Sequence, residues 1–256
     1  MGVRKIIRNI LNTYGYEIIK LEEQGVPTDI LADKEFMALY LSCKPYTMTS
    51  VERMYTLYLS VLHVLDNNLE GDFVECGVWR GGSSMLMAKC LQLRGRTDKK
   101  IYLYDTFEGM TKPEDVDVST RTNQVAMEKF EETSTSEDSA DWCYASLDEV
   151  QQNMYATGID PSNLQFVKGK VEETIPQTMP EKIALLRLDT DWYKSTKHEL
   201  EHMYPILVKD GILIIDDFGH WDGCKKAVIE YFGDRPETAL INRIDVAGRM
   251  IIKNLN

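Results

Sequence analysis

The sequence predicts an α/β fold, a mostly parallel β-sheet covered by helices on both faces and preceded by a helical N-terminal extension. From about Ile101 onward, short β-rich runs alternate with helical stretches. Most of the runs are continuously apolar, as in strands that are buried on both faces. The last two runs are separated by only a few residues around Gly248, too few for a crossover helix. We therefore expect five parallel strands and a C-terminal antiparallel hairpin.

Seven runs are candidate strands. They are DFVEC (72–76), KIYLYD (100–105), LQFVKG (164–169), IALLRLD (183–189), GILIID (211–216), ALINRID (239–245) and RMIIKN (249–254). Most of the first five are separated by enough chain for a crossover helix, which parallel strands require. The last two predict a hairpin at one edge of the sheet.

The residues before the first strand have a helical pattern. In the segment 50–65, Met54, Leu57, Val61 and Leu65 recur at helical spacing. In residues 3–20, charged residues interrupt every apolar run. This pattern favours a surface or dimer-interface helix over a helix lying on a membrane. We expect a helical extension over residues 1–68, a sheet domain over 69–256, and a homodimer.

One segment interrupts the alternation of strands and helices. Residues 110–145 are acidic and rich in Ser and Thr, where a sheet protein would need only a short crossover. An insertion of this kind is usually a lid or a flexible loop. A lid over the active site and a disordered loop both remain open at this point.

The composition favours a soluble globular protein and argues against nucleic acid as a partner. With 43% hydrophobic and 27% charged residues, the 256-residue chain has the composition of a soluble globular protein. Its net charge of −12 argues against nucleic acid as a partner, because phosphate neutralisation needs an excess of Lys and Arg. No run approaches the roughly 20 apolar residues of a membrane span. The five scattered cysteines form no CxxC pair, so we expect a reduced, cytoplasmic protein.

The segment GDFVECGVWRGGSS (71–84) reads as a strand, a glycine-containing turn and a helix that begins near Gly82 or Ser83. Such a turn lets the backbone approach a ligand closely. Its glycine spacing departs from GxGxxG, which weakens a nicotinamide fingerprint. Asp105 ends the second strand, where a carboxylate can accept two hydrogen bonds from a ribose diol. Together these features predict an adenosine-type ligand, although the loop could also be only a tight turn.

Acidic residues end two further strands. Asp189 and Asp191 follow the fourth run, and Asp216 and Asp217 follow the fifth. The carboxyl ends of neighbouring parallel strands open into one crevice, so these four side chains are expected to converge. Converging carboxylates repel unless a cation neutralises them, and all-oxygen ligation selects a hard ion such as Mg²⁺. Helix capping is the alternative, but it explains one Asp better than four.

Two other motifs offer different functions. HELEH (198–202) matches the zinc-protease pattern HExxH, but Pro205 and then a buried strand follow where a third ligand would be needed. Its helix is the expected crossover between the fourth and fifth strands, with Leu200, Tyr204 and Leu207 toward the sheet and the histidines toward solvent. The LDTD sequence (188–191) also resembles the DxD motif of nucleotide-sugar glycosyltransferases, which stays the main alternative. For His220, substrate contact and loop packing are both open.

Four motifs in order, VECGVWRGGSS, YDTFEGM, LLRLDTDWYxST and LIIDDFGxWxG, resemble the macrocin O-methyltransferase (TylF-like) family. The likeness runs from about 46–54 to 249–253. The resemblance implies the class I methyltransferase fold, with its Rossmann-like sheet, and a Mg²⁺-dependent enzyme that transfers a methyl group from S-adenosylmethionine to a hydroxyl group. It further implies a small-molecule acceptor, a sugar or phenol of the kind found in macrolide and other antibiotics.

The resemblance also implies roles for individual residues. The implied metal ligands are Asp189, Asp216 and Asp217, and the implied general base is Asp191. The implied cofactor-binding residues are Thr47 and Met48 from the N-terminal helices; Glu75, Cys76, Gly77, Val78, Trp79 and Gly81 beside the methionine part; Asp105 at the ribose, with Thr106, Phe107, Glu108 and Gly109; and Gly169 and Lys170 beside the adenine. The sequence departs from its relatives in the segment 110–145 and at Lys170, where an aromatic residue is more usual.

Overall fold

The computed structural model describes residues 26–233 and 240–254, and it confirms the predicted α/β architecture. The predicted helix over residues 3–20 lies outside the described residues, so the dimer contact expected from it stays a prediction. The strands are β1 Asp72–Cys76, β2 Ile101–Asp105, β3 Met110–Thr111, β4 Ser139–Ala140, β5 Leu164–Lys168, β6 Ile183–Leu188, β7 Leu207–Ile215, β8 Asn242–Arg243 and β9 Arg249–Ile252.

Nine described helices accompany these strands. They are α1 Thr28–Ala32, α2 Lys34–Cys43, α3 Val51–Asp66, α4 Gly82–Leu93, α5 Ala126–Thr133, α6 Leu147–Tyr155, α7 Val171–Thr174, α8 Tyr193–Met203 and α9 Asp222–Gly233. Among these described residues, no helix is both long and apolar enough to cross a bilayer.

The main sheet has the strand order β5-β2-β1-β6-β7-β9-β8. The first five strands in this order are parallel to their neighbours, whereas β9 is antiparallel to both β7 and β8. Chain order reverses between β1 and β6, so the connections leave in opposite directions at that point. In an open parallel sheet, ligands bind at the carboxyl ends of the strands beside such a reversal.

The helical extension and the sheet share one hydrophobic core. Helix α3 begins after Ser50, whose side chain accepts a hydrogen bond from the backbone N–H of Arg53 at 3.2 Å, as an N-cap does. The residues at helical spacing in α3, Met54, Leu57, Val61 and Leu65, are all buried, as predicted. They pack with α2, α4 and one face of the sheet, while α8 and α9 cover the other face.

The structure corrects two strand boundaries. Strand β7 begins at Leu207 rather than at Gly211, so Leu207 lies in the strand and not on the preceding helix. Of the described residues 240–245 in the predicted run 239–245, only Asn242–Arg243 belong to the sheet. The reason is a turn organised by Asp245, whose carboxylate accepts hydrogen bonds from the backbone N–H groups of Ala247 and Gly248 at 2.8 and 2.6 Å.

We expect Gly77→Ala to destabilise the protein by at least about 2 kcal/mol. Gly77 has a φ of +81°, and a Cβ atom there would lie 1.9 Å from the carbonyl oxygen of Asp189. Thermal unfolding followed by circular dichroism measures the loss. Gly233→Ala is the matched control, because a Cβ at Gly233 meets no atom within 4 Å. Equal melting temperatures for the two variants would contradict the prediction.

Candidate active site

A cavity of about 420 Å³ lies at the carboxyl ends of β1, β2, β6 and β7, beside the chain reversal. The glycine turn after β1 and the acidic strand ends after β6 and β7 both line it. A smaller cavity of about 60 Å³ adjoins it on the side of β5 and shares Gly77, Asp105 and Asp189 with it. The two motifs that the sequence singled out therefore face one space.

The glycine turn packs directly against the turn that carries the first two acids. The carbonyl oxygen of Cys76 accepts a hydrogen bond from the backbone N–H of Asp189 at 2.8 Å. Only a residue without a Cβ fits at Gly77, because the Asp189 carbonyl occupies that position. The distance between the glycine turn and the acidic turn is consequently set by backbone contact.

Asp105 holds the glycine turn from the other side. Its carboxylate accepts hydrogen bonds from the backbone N–H groups of Val78 at 2.7 Å, Trp79 at 3.1 Å and Phe107 at 2.7 Å. A carboxylate offers about four acceptor positions. These backbone groups use three of the positions, and the hydrogen bonds from a ribose diol to Asp105 stay a prediction. Burial raises the pKa of Asp105, and the backbone hydrogen bonds oppose this rise.

Three of the four predicted acids form one cluster. Carboxylate oxygens of Asp189, Asp216 and Asp217 all lie within 4.8 Å of one another. Asp216 and Asp217 are buried, and Asp189 is partly exposed to the cavity. This is the one group of His, Cys, Asp or Glu side chains with metal-ligand spacing in the described part of the chain.

A buried arginine joins the acidic cluster to the first strand. Arg187 lies in β6 with 2% of its surface exposed, and its guanidinium donates to Glu75 at 2.6 Å, Asp189 at 2.7 Å and Asp216 at 2.6 Å. Arg53 of α3 also contacts Asp216. Sequence reasoning missed both arginines. The signal for Arg187 was available, because it is the one charged residue within the buried run IALLRL.

One carboxylate oxygen of the cluster lacks a partner. Oδ2 of Asp217 is buried and accepts no hydrogen bond from any described residue. Burial raises the pKa of Asp217 well above its ordinary range, and the neighbouring carboxylates of Asp191 and Asp216 raise it further. A buried acceptor without a donor costs free energy unless a ligand satisfies it. The donor set, the spacing and this oxygen all fit a hard divalent cation.

Asp191 lies beside the cluster rather than within it. It adopts a φ of +68°, and its Oδ1 accepts a hydrogen bond from the indole N–H of Trp221 at 2.7 Å. Burial raises the pKa of Asp191 well above its usual range, and the nearby charge of Asp189 adds to the rise. The side chain lines the cavity next to the acidic cluster, where a carboxylate can accept a proton.

The segment 110–145 is folded against the site. Buried Asp117 accepts hydrogen bonds from the backbone N–H groups of Tyr193 at 2.9 Å and Glu114 at 2.8 Å. The ring of Trp142 packs edge-on against Trp192 and Trp221, with centroid distances of 5.7 and 6.0 Å. The short strands β3 and β4 and helix α5, which the sequence did not predict, belong to this segment. Its residues form a wall of the cavity rather than a disordered loop.

The structure divides the predicted cofactor residues into those that line a cavity and those that do not. The larger cavity is lined by Thr47, Met48, Gly77, Val78, Trp79, Asp105 and Gly109. The smaller cavity adds Thr106, Gly169 and Lys170. Neither cavity is lined by Glu75, Cys76, Gly81, Phe107 or Glu108.

Physical reasons account for the five residues that line neither cavity. Glu75 is engaged by Arg187 and by the Ser84 hydroxyl, and the Cys76 thiol lies 3.8 Å from the Met203 sulfur on the opposite face of the sheet. Gly81 precedes helix α4, Phe107 is buried in the core, and Glu108 pairs with Lys168 at 2.8 Å on the surface. Their assignment as cofactor-binding residues stays a prediction.

The HELEH motif lies on helix α8 and does not assemble a metal site in the described structure. Glu199 is fully buried and accepts hydrogen bonds from the Thr190 hydroxyl at 3.0 and 3.1 Å. One nitrogen of His198 contacts the Ile175 carbonyl at 3.0 Å, and one of His202 contacts the His198 carbonyl at 2.8 Å. The histidines are half-buried, not fully turned to solvent as predicted.

His220 does reach the larger cavity. Its ring stacks on Trp221 with a centroid distance of 5.0 Å. Burial lowers its pKa, and the neighbouring charges of Arg121 and Arg53 lower it further. Burial and these arginines therefore disfavour the protonated form of the ring, while the charge of Asp216 opposes them.

Comparison with known proteins points to methyl transfer. The family model described as macrocin-O-methyltransferase (TylF) matches residues 33–253. A tetracenomycin-C rhamnosyl 4'-O-methyltransferase of Streptomyces olivaceus is 34% identical over 203 residues, which cover 79% of this chain and 74% of that protein. Demethyldecarbamoylnovobiocin O-methyltransferase of Streptomyces niveus is 31% identical over 186 residues, 73% of this chain and 67% of that one.

A solved structure agrees with these sequence relatives. The structure of the O-methyltransferase NovP superimposes with a TM-score of 0.72 at 27% identity, covering 82% of this chain and 83% of that chain. These relatives favour methyl transfer over the sugar transfer or proteolysis that single motifs left open. The chain therefore belongs to the macrocin-O-methyltransferase (TylF) family and is an O-methyltransferase.

Proposed function

We propose that the protein transfers a methyl group from S-adenosylmethionine to a hydroxyl of a sugar or phenol in a small molecule, and that a divalent cation assists. The relatives named above act on a rhamnosyl tetracenomycin and on a novobiocin precursor, which supports an acceptor of this kind. The observation that carries the proposal is the three-carboxylate cluster, with its unpartnered oxygen, facing the glycine turn across one cavity.

The cavity walls suit the cofactor by shape and by charge. A sulfonium carries a positive charge, and the cavity wall formed by Asp189, Asp191, Asp216 and Asp217 is rich in negative charge. In this proposal the methionine part lies along the turn at Gly77, with Thr47 and Met48 beside it. The adenosine part extends past Asp105 toward Gly169 and Lys170, which line the adjoining cavity.

Asp189, Asp216 and Asp217 would hold the cation, and Mg²⁺ suits their oxygen ligands. When bound, such an ion lowers the pKa of a hydroxyl that it contacts and orients it. Arg187 and Arg53 hold the carboxylates of Asp189 and Asp216 in place through short charged hydrogen bonds. The arginines also offset part of the repulsion between these acids, so the cluster stays assembled before the ion arrives.

Asp191 would take the hydroxyl proton. Its Oδ1 is held by Trp221, so Oδ2 is the oxygen available to the substrate. Methyl transfer from a sulfonium is an in-line displacement, so the acceptor oxygen must lie about 3 Å from the methyl carbon as its proton leaves.

Calorimetric titration with S-adenosylmethionine tests the function directly. We expect binding both with Mg²⁺ and with EDTA, because the proposed cofactor contacts do not include the ion. Methyl transfer to a panel of sugars and phenols should occur with Mg²⁺ and cease with EDTA. Failure to bind S-adenosylmethionine would overturn the function, and undiminished transfer in EDTA would overturn the metal.

We expect Asp191→Asn to lower kcat by about 10²- to 10⁴-fold, as loss of a general base does. Asparagine is nearly the same size, tolerates positive φ and can still accept the Trp221 hydrogen bond. Affinity for S-adenosylmethionine and for Mg²⁺ should stay within about twofold of wild type, since the ligands remain. Asp66→Asn, an exposed site on α3, is the matched control. Wild-type turnover of Asp191→Asn would remove this residue from the mechanism.

Asp217→Asn should have opposite effects on stability without and with the metal. Without metal the variant should unfold at the same temperature as wild type or higher, because an amide N–H in place of the unpartnered oxygen can donate to a neighbouring carboxylate, and the repulsion within the cluster falls. Saturating Mg²⁺ should raise the wild-type stability by about 2.7 kcal/mol at a hundredfold excess over Kd, and should leave the variant unchanged. Thermal unfolding with MgCl₂ and with EDTA measures both effects. An equal Mg²⁺ shift in both proteins would show that Asp217 is not a ligand.

A further inference from the structure

A third cavity, of about 530 Å³, opens beside the catalytic one. Arg121, Trp142, His220 and Trp221 line both cavities, so these residues form their common boundary. The remaining wall belongs to the segment 110–145. A molecule that presents a hydroxyl to Asp191 could therefore extend into this outer cavity.

The charged residues that line this outer cavity are positive, whereas the catalytic cavity contains the acidic cluster. The charged side chains of the outer cavity are Arg121 and Lys129, and no Asp or Glu is among the described residues that line it. Ser119, Thr122 and Gln124 add neutral polar groups. Two cations without an acid are unusual in a chain of net charge −12. This pattern predicts an anionic ligand group.

The side chain of Arg121 forms no hydrogen bond with the described residues. Within residues 26–233 and 240–254, each of the other arginines donates a side-chain hydrogen bond to a carboxylate or a carbonyl oxygen; these are Arg53, Arg80, Arg94, Arg96, Arg187, Arg243 and Arg249. The guanidinium of Arg121 makes no such contact with the described residues. Lys129 has only an exposed partner, Glu132, at 3.6 Å.

The backbone at Arg121 is nevertheless held in place. The Thr120 N–H donates to the His220 carbonyl at 2.9 Å, and the Thr120 hydroxyl donates to the Gly219 carbonyl at 2.6 Å. The loop of Gly219 and His220 follows directly after Asp216 and Asp217. The backbone next to Arg121 is thus fixed, whereas its exposed guanidinium has no hydrogen-bonded partner among the described residues.

We propose that the outer cavity binds a phosphate group of the methyl acceptor, so that the acceptor is a phosphorylated sugar or a sugar carried on a nucleoside diphosphate. The proposal rests on the proposed O-methyltransferase function. Arginine presents a planar fork that matches phosphate oxygens, and Lys129 supplies a second positive charge. The rings of Trp142 and Trp221 lie at the boundary between the two cavities, where a sugar ring can pack against them.

Titration calorimetry in EDTA tests the site without any contribution from a metal ion. The probes are glucose 1-phosphate and uridine diphosphate glucose, with methyl α-glucoside as the neutral comparison, each added to protein saturated with S-adenosylhomocysteine. We expect at least one phosphate probe to bind more tightly than the neutral glucoside, and higher salt to weaken it. The tighter of the two identifies the source of the phosphate. Equal affinity for all three, or no binding of either phosphate probe, overturns the proposal.

Two variants test whether Arg121 and Lys129 bind the phosphate group. Arg121→Gln and Lys129→Gln should each weaken the phosphate probe about tenfold, as loss of a charged hydrogen bond does. Lys209→Gln, an exposed cation in β7 that lines none of the three cavities, should bind the probe as wild type does. Unchanged phosphate affinity in both cavity variants overturns the proposal.

The same titrations separate this proposal from the function it rests on. Affinity for S-adenosylmethionine should be the same in wild type and in all three variants, which also shows that they fold. If wild type binds the phosphate probe but not S-adenosylmethionine, the O-methyltransferase function fails. If wild type binds S-adenosylmethionine but neither phosphate probe, the proposal for the outer cavity fails and the O-methyltransferase function stands.

Discussion

The buried guanidinium of Arg187 is the interaction on which the site depends. It lies on β6 and joins Glu75 of β1, Asp189 after β6 and Asp216 after β7, with the Thr49 hydroxyl as a further partner at 2.8 Å. Removing one partner from a buried ion pair typically costs about 3–5 kcal/mol, because the other charge stays unsatisfied. The strands therefore cannot shift without losing several charged hydrogen bonds at once, and the tips of β6 and β7 stay together.

Backbone contacts complete the alignment that Arg187 begins. Gly77 leaves room for the carbonyl of Asp189, and Asp105 binds the backbone of Val78 and Trp79. The glycine turn and the acidic cluster are thereby held at a constant separation. Such preorganisation matters for methyl transfer, since donor carbon and acceptor oxygen must be aligned before the reaction. Asp217, which has one unpartnered oxygen, and Arg121, whose guanidinium has no hydrogen-bonded partner among the described residues, line the cavities of the two proposals.

Sequence reasoning succeeded where a pattern repeats along the chain and failed where a contact joins distant segments. Apolar runs and short connections predicted the parallel strands and the edge hairpin, although Asp245 ends the hairpin strand early. The HELEH sequence matches the HExxH pattern of zinc proteases at every defined position, yet the side chain of Glu199 is buried and bonded to Thr190. Arg187 and Arg53 were missed because their partners lie far apart in the sequence. The segment 110–145 lacks apolar periodicity, so its packing through Trp142 could not be predicted.

The sequence alone determined the fold class, the family and the convergence of acids at the strand ends. These follow from local periodicity and from topology, because parallel neighbours must end at the same edge of a sheet. Only the tertiary structure decided which side chains face the cavity. It turned Glu75 and Cys76 away from it, engaged Asp105 with backbone donors, and left one oxygen of Asp217 without a partner. Side-chain direction and hydrogen-bond satisfaction depend on neighbours from several strands, and no single segment specifies them.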